Sequence, residues 1–210
     1  MHYAFDAWMV RKFNWLPFAR YADDGLVHAR GYQEANYVLQ EISKRFLEVG
    51  LEVHPNKTKI VMTQKSRKSI LGVENHFDFL GFRFRFQGGY SLKRRSGFTT
   101  FSPVPSPKAM KRLRAETRDR WKLKSRLHVN LKEIADRVNP IIRGWFQYYR
   151  RFHKKDMQNL AKCIDEHLLK WGQRRYQTLR YRRLRSKDWL KSVYQRSPSL
   201  FVHWRFYMVT

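Results

Sequence analysis

Cysteine is almost absent: Cys163 stands alone in 210 residues. No disulfide can form within the chain, and no set of thiolates can hold zinc, so disulfide-stapled and zinc-finger scaffolds are excluded. A reducing compartment fits. Long apolar runs are missing too. No stretch approaches the roughly 20 residues that a membrane-spanning helix needs. Met1–Val10 lacks the basic start and small-residue cleavage site of a signal peptide. Acid is scarce: 17 Asp and Glu face 44 Lys and Arg, a formal net charge of +27. Such a surface repels itself and attracts phosphates, so a polyanion partner is expected. The imbalance is local. Residues 1–62 carry 8 basic and 7 acidic side chains, whereas residues 63–210 carry 36 and 10.

Aromatics are plentiful, with 7 Trp, 11 Tyr and 15 Phe. Many interleave with Arg and Lys, which suits nucleic acid: rings stack on bases and cations pair with phosphates. A ribosomal or histone-like basic protein is the plain alternative, but such chains are usually poorer in aromatics.

Periodicity divides the chain. Phe5, Trp8, Met9 and Phe13 recur at helical spacing, so an amphipathic helix starts almost at Met1, and Pro17 ends it. A core helix with no lead-in is the first sign of truncation. Phe18–Ala22 and Leu26–Ala29 flank Asp23-Asp24-Gly25 and read as a β-hairpin. Ala35, Val38, Leu39, Ile42 and Phe46 keep a helical period from Tyr32 to Gly50, the latter a plausible stop. Leu51–Val53 and Lys59–Met62 are strand-like around His54-Pro55-Asn56. Residues 64–75 read as a polar loop. Phe82, Phe84 and Phe86 alternate with Arg83 and Arg85, predicting a half-exposed strand. Gly88-Gly89 is expected to turn it, with Phe98–Phe101 pairing back. Pro103, Pro105 and Pro107 mark a boundary, and everything beyond reads helical. Ser106 is the expected N-cap with Pro107 in the first turn, and a basic helix is predicted to about Arg126. Leu131–Val138 predicts a short helix, with Asn139-Pro140 capping and restarting the next. Asp156 is expected to cap a helix carrying Met157, Leu160, Ile164, Leu168 and Trp171.

Tyr21-Ala22-Asp23-Asp24 is the constellation with chemistry in it. Two adjacent carboxylates at a hairpin tip repel each other and are held together usefully by cations. Mg²⁺ takes oxygen ligands, and phosphoryl-transfer sites use it to clamp attacking and leaving oxygens. An ordinary Asp-Asp-Gly turn is the bland alternative, weakened by the flanking strands, the following helix and the basic region downstream. No His pair among the eight has ligand spacing, so no His is assigned to a metal.

Phe18-Ala19-Arg20-Tyr21-Ala22-Asp23-Asp24 resembles the palm hairpin of group II intron reverse transcriptases. Gly50-Leu51-Glu52-Val53-His54-Pro55-Asn56-Lys57-Thr58-Lys59 resembles the next block of that family, and Phe77-Asp78-Phe79-Leu80-Gly81-Phe82 its primer-grip block. Asn139-Pro140-Ile141-Ile142-Arg143-Gly144-Trp145-Phe146-Gln147-Tyr148-Tyr149 resembles the hallmark of the maturase-specific domain, which also serves as the polymerase thumb. The likeness runs from Met1 to about Trp204.

The resemblance implies an α+β fold: a partial palm over residues 1–103, then a helical thumb/maturase domain over 104–210. It implies RNA-directed DNA polymerisation and assistance to splicing, with group II intron RNA, an RNA template, a DNA primer and, in the full-length protein, deoxynucleoside triphosphates as partners. Asp23 and Asp24 would hold Mg²⁺. Tyr21, Ala22, Lys57 and Lys59 would line the nucleotide site, though the lysines also suit a solvated strand edge. Phe79, Leu80 and Gly81 would grip the primer, and the first two suit a core equally. Arg143, Arg150, Arg151, Lys154 and Lys155 form one cluster expected to bind RNA. Arg174, Arg175, Arg180, Arg182, Arg183 and Arg185 form another. For Trp145 and Tyr149, helical spacing favours core packing over base stacking. Departures matter as well. The family's active site uses a further Asp on an earlier palm strand, and only Asp6, in a helical pattern, precedes Asp23. The fingers and the first half of the palm are therefore expected to be missing, and the chain alone to be inactive. Gly25 stands where relatives carry an apolar residue. A non-catalytic RNA-binding splicing cofactor is the competing class. A cytoplasmic, bacterial ribonucleoprotein is the expected setting, with an organelle also open.

Overall fold

The computed structural model describes residues 1–64, 73–91 and 95–207. Most of the polar loop expected over 64–75 lies outside them. The fold is α+β, and the chain divides into two compact units: Met1–Phe79 with Arg85–Phe101, and Leu80–Phe84 with Ser102–Thr210.

The first unit opens with a wide helical turn, His2–Asp6, that continues into α1, Ala7–Lys12. Strands β1, Phe18–Tyr21, and β2, Asp24–Val27, pair antiparallel with Tyr21 opposite Asp24 and Phe18 opposite Val27. Helix α2 spans Tyr32–Glu48. Its end is closed as the sequence suggested. Leu51 N–H reaches the Phe46 carbonyl at 2.8 Å and Gly50 N–H the Leu47 carbonyl at 3.2 Å, with Gly50 at φ 71°. Phe5, Met9, Phe13, Leu16 and Val38 are buried, and Phe18, Val27, Ile42 and Phe46 pack onto them. One face of α2 thus backs the hairpin.

Two expectations fail here. Leu51–Val53 is not a strand; only Ile60–Val61 (β3) pairs, in parallel with Val73–Glu74 (β4). Leu51 has given its N–H to the helix end, and residues 54–58 close a turn through His54 O. Gly88-Gly89 does not turn its strand either. Strand β6 runs unbroken from Phe82 to Ser91, between β5, His76–Phe79, and β7, Ser96–Pro105. A Cβ on Gly89 would lie 2.5 Å from the Phe98 ring, so glycine there makes room for an aromatic cover. Strand β7 is an edge strand, which tolerates Pro103 and Pro105. Phe86 and Phe77 both pack on Phe101.

The second unit is helical apart from the strand residues it takes from β6 and β7. Helix α3 spans Pro107–Ala115, with Ser106 Oγ accepting from Ala109 N–H at 3.1 Å. It widens over Glu116–Arg120 and stops there, short of the expected Arg126, because Lys122 turns left-handed at φ 47°. Helix α4 is continuous over Leu131–Tyr149. Asn139-Pro140 therefore does not restart it. The Asn139 side chain turns outward instead, donating to Leu200 O at 2.9 Å and accepting from Val202 N–H at 3.0 Å. The buried stripe Ile134, Val138, Ile142, Phe146 passes straight across the proline. Asn130 caps α4 at Glu133 N–H, 2.9 Å. Helix α5, Lys154–Arg175, is capped at His153; Asp156 lies in its first turn, where a carboxylate favours the helix N-terminus. Met157, Leu160, Ile164, Leu168 and Trp171 are all fully buried. Helix α6 spans Arg183–Arg196, and a short turn, Val202–Arg205, follows.

Candidate functional site

The hairpin tip is a two-residue loop, Ala22-Asp23, tighter than the Asp-Asp-Gly turn read from the sequence; Asp24 and Gly25 belong to β2. Ala22 sits at φ 53°, a conformation unusual for a side chain with a Cβ. What holds it is Arg20. Its Nη1 donates to the Ala22 carbonyl at 2.6 Å, while Nε donates to Asp6 Oδ1 at 2.6 Å and Nη2 to Asp6 Oδ2. One guanidinium thus ties the N-terminal helical turn to the loop bearing the carboxylates. The same bidentate pairing holds the Asp6 carboxyl down at about 2. From the sequence, Asp6 is only a carboxylate in the wrong context for the missing palm ligand, and Arg20 has no role assigned. The signal was there: an acid at helical position 6 and an Arg inside the motif itself.

The side chains of Asp23 and Asp24 are exposed and carry no hydrogen bond or ion pair to any described residue. Their oxygens are free for a cation, and the donor type suits Mg²⁺. Among the described residues no group of three or more His, Cys, Asp or Glu gathers that could hold a metal. Tyr21 is exposed beside them. Gly25 has space above it: a Cβ would meet the Phe5 ring at an ordinary 3.8 Å.

Lys57 is exposed in the His54–Thr58 turn. Lys59 is committed to Glu74, with Nζ 2.8 Å from Oε1, and the ammonium draws the Glu74 carboxyl below its usual range. Phe79 ends β5. Leu80 and Gly81 form a two-residue turn with φ 49° and 79°, both left-handed, the pattern of a type I′ hairpin. Within the second unit this turn is clamped. Tyr148 Oη donates to Leu80 O at 2.6 Å, Ser106 N–H donates to Gly81 O at 2.9 Å, and Phe82 packs on Tyr148, Tyr149 and Phe152. Tyr148 and Tyr149 thus serve packing and turn geometry.

The expected RNA-binding residues separate on inspection. Arg143, Arg151, Lys154 and Lys155 are exposed. Arg150 is half-buried, its guanidinium 4.5 Å from the Phe206 ring, which itself stacks on Phe146. Arg174, Arg175, Arg180, Arg182, Arg183 and Arg185 are exposed at the α5–α6 junction, where Arg183 pairs with Glu166 at 3.1 Å. Trp145 is half-buried and stacks on buried Trp121. A cluster missed from sequence ties the middle of α5 to the Val202–Arg205 turn. Asp165 is 4% exposed and accepts from Trp204 Nε1 at 3.0 Å and Tyr207 Oη at 2.8 Å, with His203 Nε2 at 2.8 Å. Burial and the Asp165 charge together push the Tyr207 phenol upward. An acid at a buried position of an apolar helix stripe was the available clue.

Residues 1–84 match the family model of the reverse transcriptase (RNA-dependent DNA polymerase), and residues 110–189 match the group II intron, maturase-specific domain. An uncharacterized 91 kDa protein in the cob intron of Schizosaccharomyces pombe is 33% identical over 149 residues, which is 68% of this chain and 18% of that protein. No solved structure matches the chain. The chain belongs to the group II intron reverse transcriptase/maturase family. It spans less than a fifth of the length of the relative it matches.

Proposed function

We propose that this chain is the C-terminal part of an intron-encoded RNA-directed DNA polymerase and splicing maturase. Residues 1–103 would supply part of the palm, and residues 104–210 the helical thumb/maturase domain that binds group II intron RNA. One observation carries the reading. A hairpin-borne pair of free carboxylates, Asp23 and Asp24, precedes in the same chain a helical unit with a dense apolar core under an Arg-rich exposed surface.

Asp23 and Asp24 would hold Mg²⁺, which when bound offsets phosphate charge and orients the attacking oxygen. The chain's own part is positioning. Arg20 fixes the Ala22 carbonyl and so the loop on which Asp23 stands. Tyr21 and Ala22 present a surface beside the carboxylates for a nucleotide, and Lys57 a free cation. Lys59 joins that role only by leaving Glu74. The Leu80-Gly81 turn, clamped by Tyr148 and Ser106, offers a rigid edge for a primer end. Template, primer and deoxynucleoside triphosphate belong to the full-length protein. The setting follows from the RNA: a bacterial cytoplasm, or an organelle.

The second reading, a non-catalytic RNA-binding splicing cofactor, is favoured by Asp6. The one carboxylate preceding the hairpin is engaged by Arg20, so a third ligand for the pair is lacking among the described residues. Two assays separate the readings. The chain is expected to retain a group II intron transcript on a filter in preference to an unrelated RNA of equal length. It is expected to extend no primer on an RNA template by itself. Mg²⁺-dependent extension abolished by Asp23→Asn would show that the chain carries a working polymerase site. Equal retention of both RNAs would sink the intron-binding reading.

A further inference from the structure

Helices α5 and α6 are joined by a sharp turn, and Tyr181 at its tip is 89% exposed, the highest of the large hydrophobic residues described. Arg182 N–H donates to the Leu179 carbonyl at 3.1 Å and closes a four-residue turn. Arg180 has φ −60° and ψ 127°, and Tyr181 has φ 60°. These are the signs of a type II turn, whose third position is left-handed and favours glycine. A tyrosine there is strained, and the fold offers no packing in return. The Arg180 guanidinium lies 5.4 Å from the ring centroid.

The turn is anchored without the ring. Leu179 is buried, and Ser186 Oγ donates to Arg182 O at 2.7 Å while accepting from Gln173 Nε2 at 3.1 Å. A strained, solvent-facing aromatic on a fixed base points to a partner outside the chain. The chemistry around it names that partner's class. Residues 180–185 are all exposed and comprise four Arg, one Tyr and one Leu, with no acid. Arg forks take phosphates, and an aromatic face between them takes a base. Paired A-form RNA hides its base faces, so the base must be unpaired.

We propose that Tyr181 is a stacking platform for an unpaired base of bound RNA, with Arg182 and Arg185 holding the neighbouring phosphates and Arg183 joining them on leaving Glu166. The inference rests on the RNA-binding reading above and adds to it the kind of RNA feature recognised. Two probes test it on the full chain: a short fluorescently labelled single-stranded RNA and the duplex of the same sequence. Tyr181→Gly should weaken single-strand binding about 5- to 150-fold, the range for losing one stacked base. Duplex affinity should stay the same, and Tyr181→Trp should restore the single-strand affinity. Because glycine relieves the left-handed strain, the Gly variant should melt no lower than the wild type. Unchanged single-strand affinity would overturn the stacking role while leaving RNA binding intact. Equal losses on strand and duplex would assign Tyr181 to general contact and overturn base recognition. A lower melting temperature would make the ring a fold support, also against the proposal. A wild-type chain that binds neither probe would overturn the RNA reading and this inference with it.

Discussion

Gly81→Ala is expected to be among the most damaging single-methyl additions the chain can receive. Gly81 holds φ 79°, where an L side chain costs about 1–2 kcal/mol. A Cβ there would also stand 2.8 Å from Tyr149 Oη, closer than real contacts allow. Tyr149 cannot swing away: it is 3% exposed, and its ring meets those of Phe82 and Tyr148 at 5.1 and 4.8 Å. Overpacking of this kind adds about 1–3 kcal/mol. Together the two effects should remove about 2–5 kcal/mol, read by urea denaturation. Adding Tyr149→Phe deletes the clashing oxygen and leaves the backbone strain, so the double variant should recover the overpacking share, about 1–3 kcal/mol, relative to additivity. If Gly81→Ala lies within about 0.5 kcal/mol of wild type, or Tyr149→Phe recovers nothing, the clamp on the Leu80-Gly81 turn is not as described.

Asp6 titrates at about 2 against an ordinary 3.8, so its pairing with Arg20 stabilises fully above about pH 4 and is lost as the pH falls towards 2. Asp6→Asn should flatten the acid loss of stability in that window; parallel acid-unfolding curves for both proteins would refute this. Asp165→Ala should cost about 3 kcal/mol or more in denaturant, because it strips the acceptor from Trp204 and Tyr207 and the partner from His203, whereas Tyr207→Phe should cost about 1 kcal/mol. Arg150→Ala should lower stability by about 0.5–2 kcal/mol through its lost contact with Phe206, while exposed Arg151→Ala should stay within about 0.5 kcal/mol in the same melts.

What could be read from the sequence was what short-range periodicity controls. The Phe18–Val27 hairpin, the stripe of α2, the Ser106 cap and the buried face of α5 all follow from spacing within one element. What escaped depends on partners far along the chain. Asn139 looks like a helix cap until Leu200 and Val202 take its side chain. Gly88-Gly89 looks like a turn until Phe98 claims the space over Gly89. At the candidate site, the motif named Asp23 and Asp24 and even their hairpin. It was silent on Arg20, whose role exists only because the N-terminal turn brings Asp6 beside it. The Asp165 cluster was invisible for the same reason, since its donors lie some forty residues on, in the Val202–Arg205 turn and just beyond.

The central claim is that the Arg-rich surface of the helical unit binds RNA through its phosphates. The most direct measurement is the salt dependence of affinity for a group II intron transcript, comparing wild type with a variant carrying Arg180→Ala, Arg182→Ala and Arg183→Ala. All three side chains are exposed, so the variant should melt like the wild type. Wild-type affinity should fall steeply with salt, with a log–log slope of roughly −0.7 to −0.9 for each phosphate neutralised. The variant should bind more weakly, with a slope shallower by about two to three contacts' worth. An unchanged affinity and slope in a variant that folds normally would contradict the claim and leave these arginines as solvated charge.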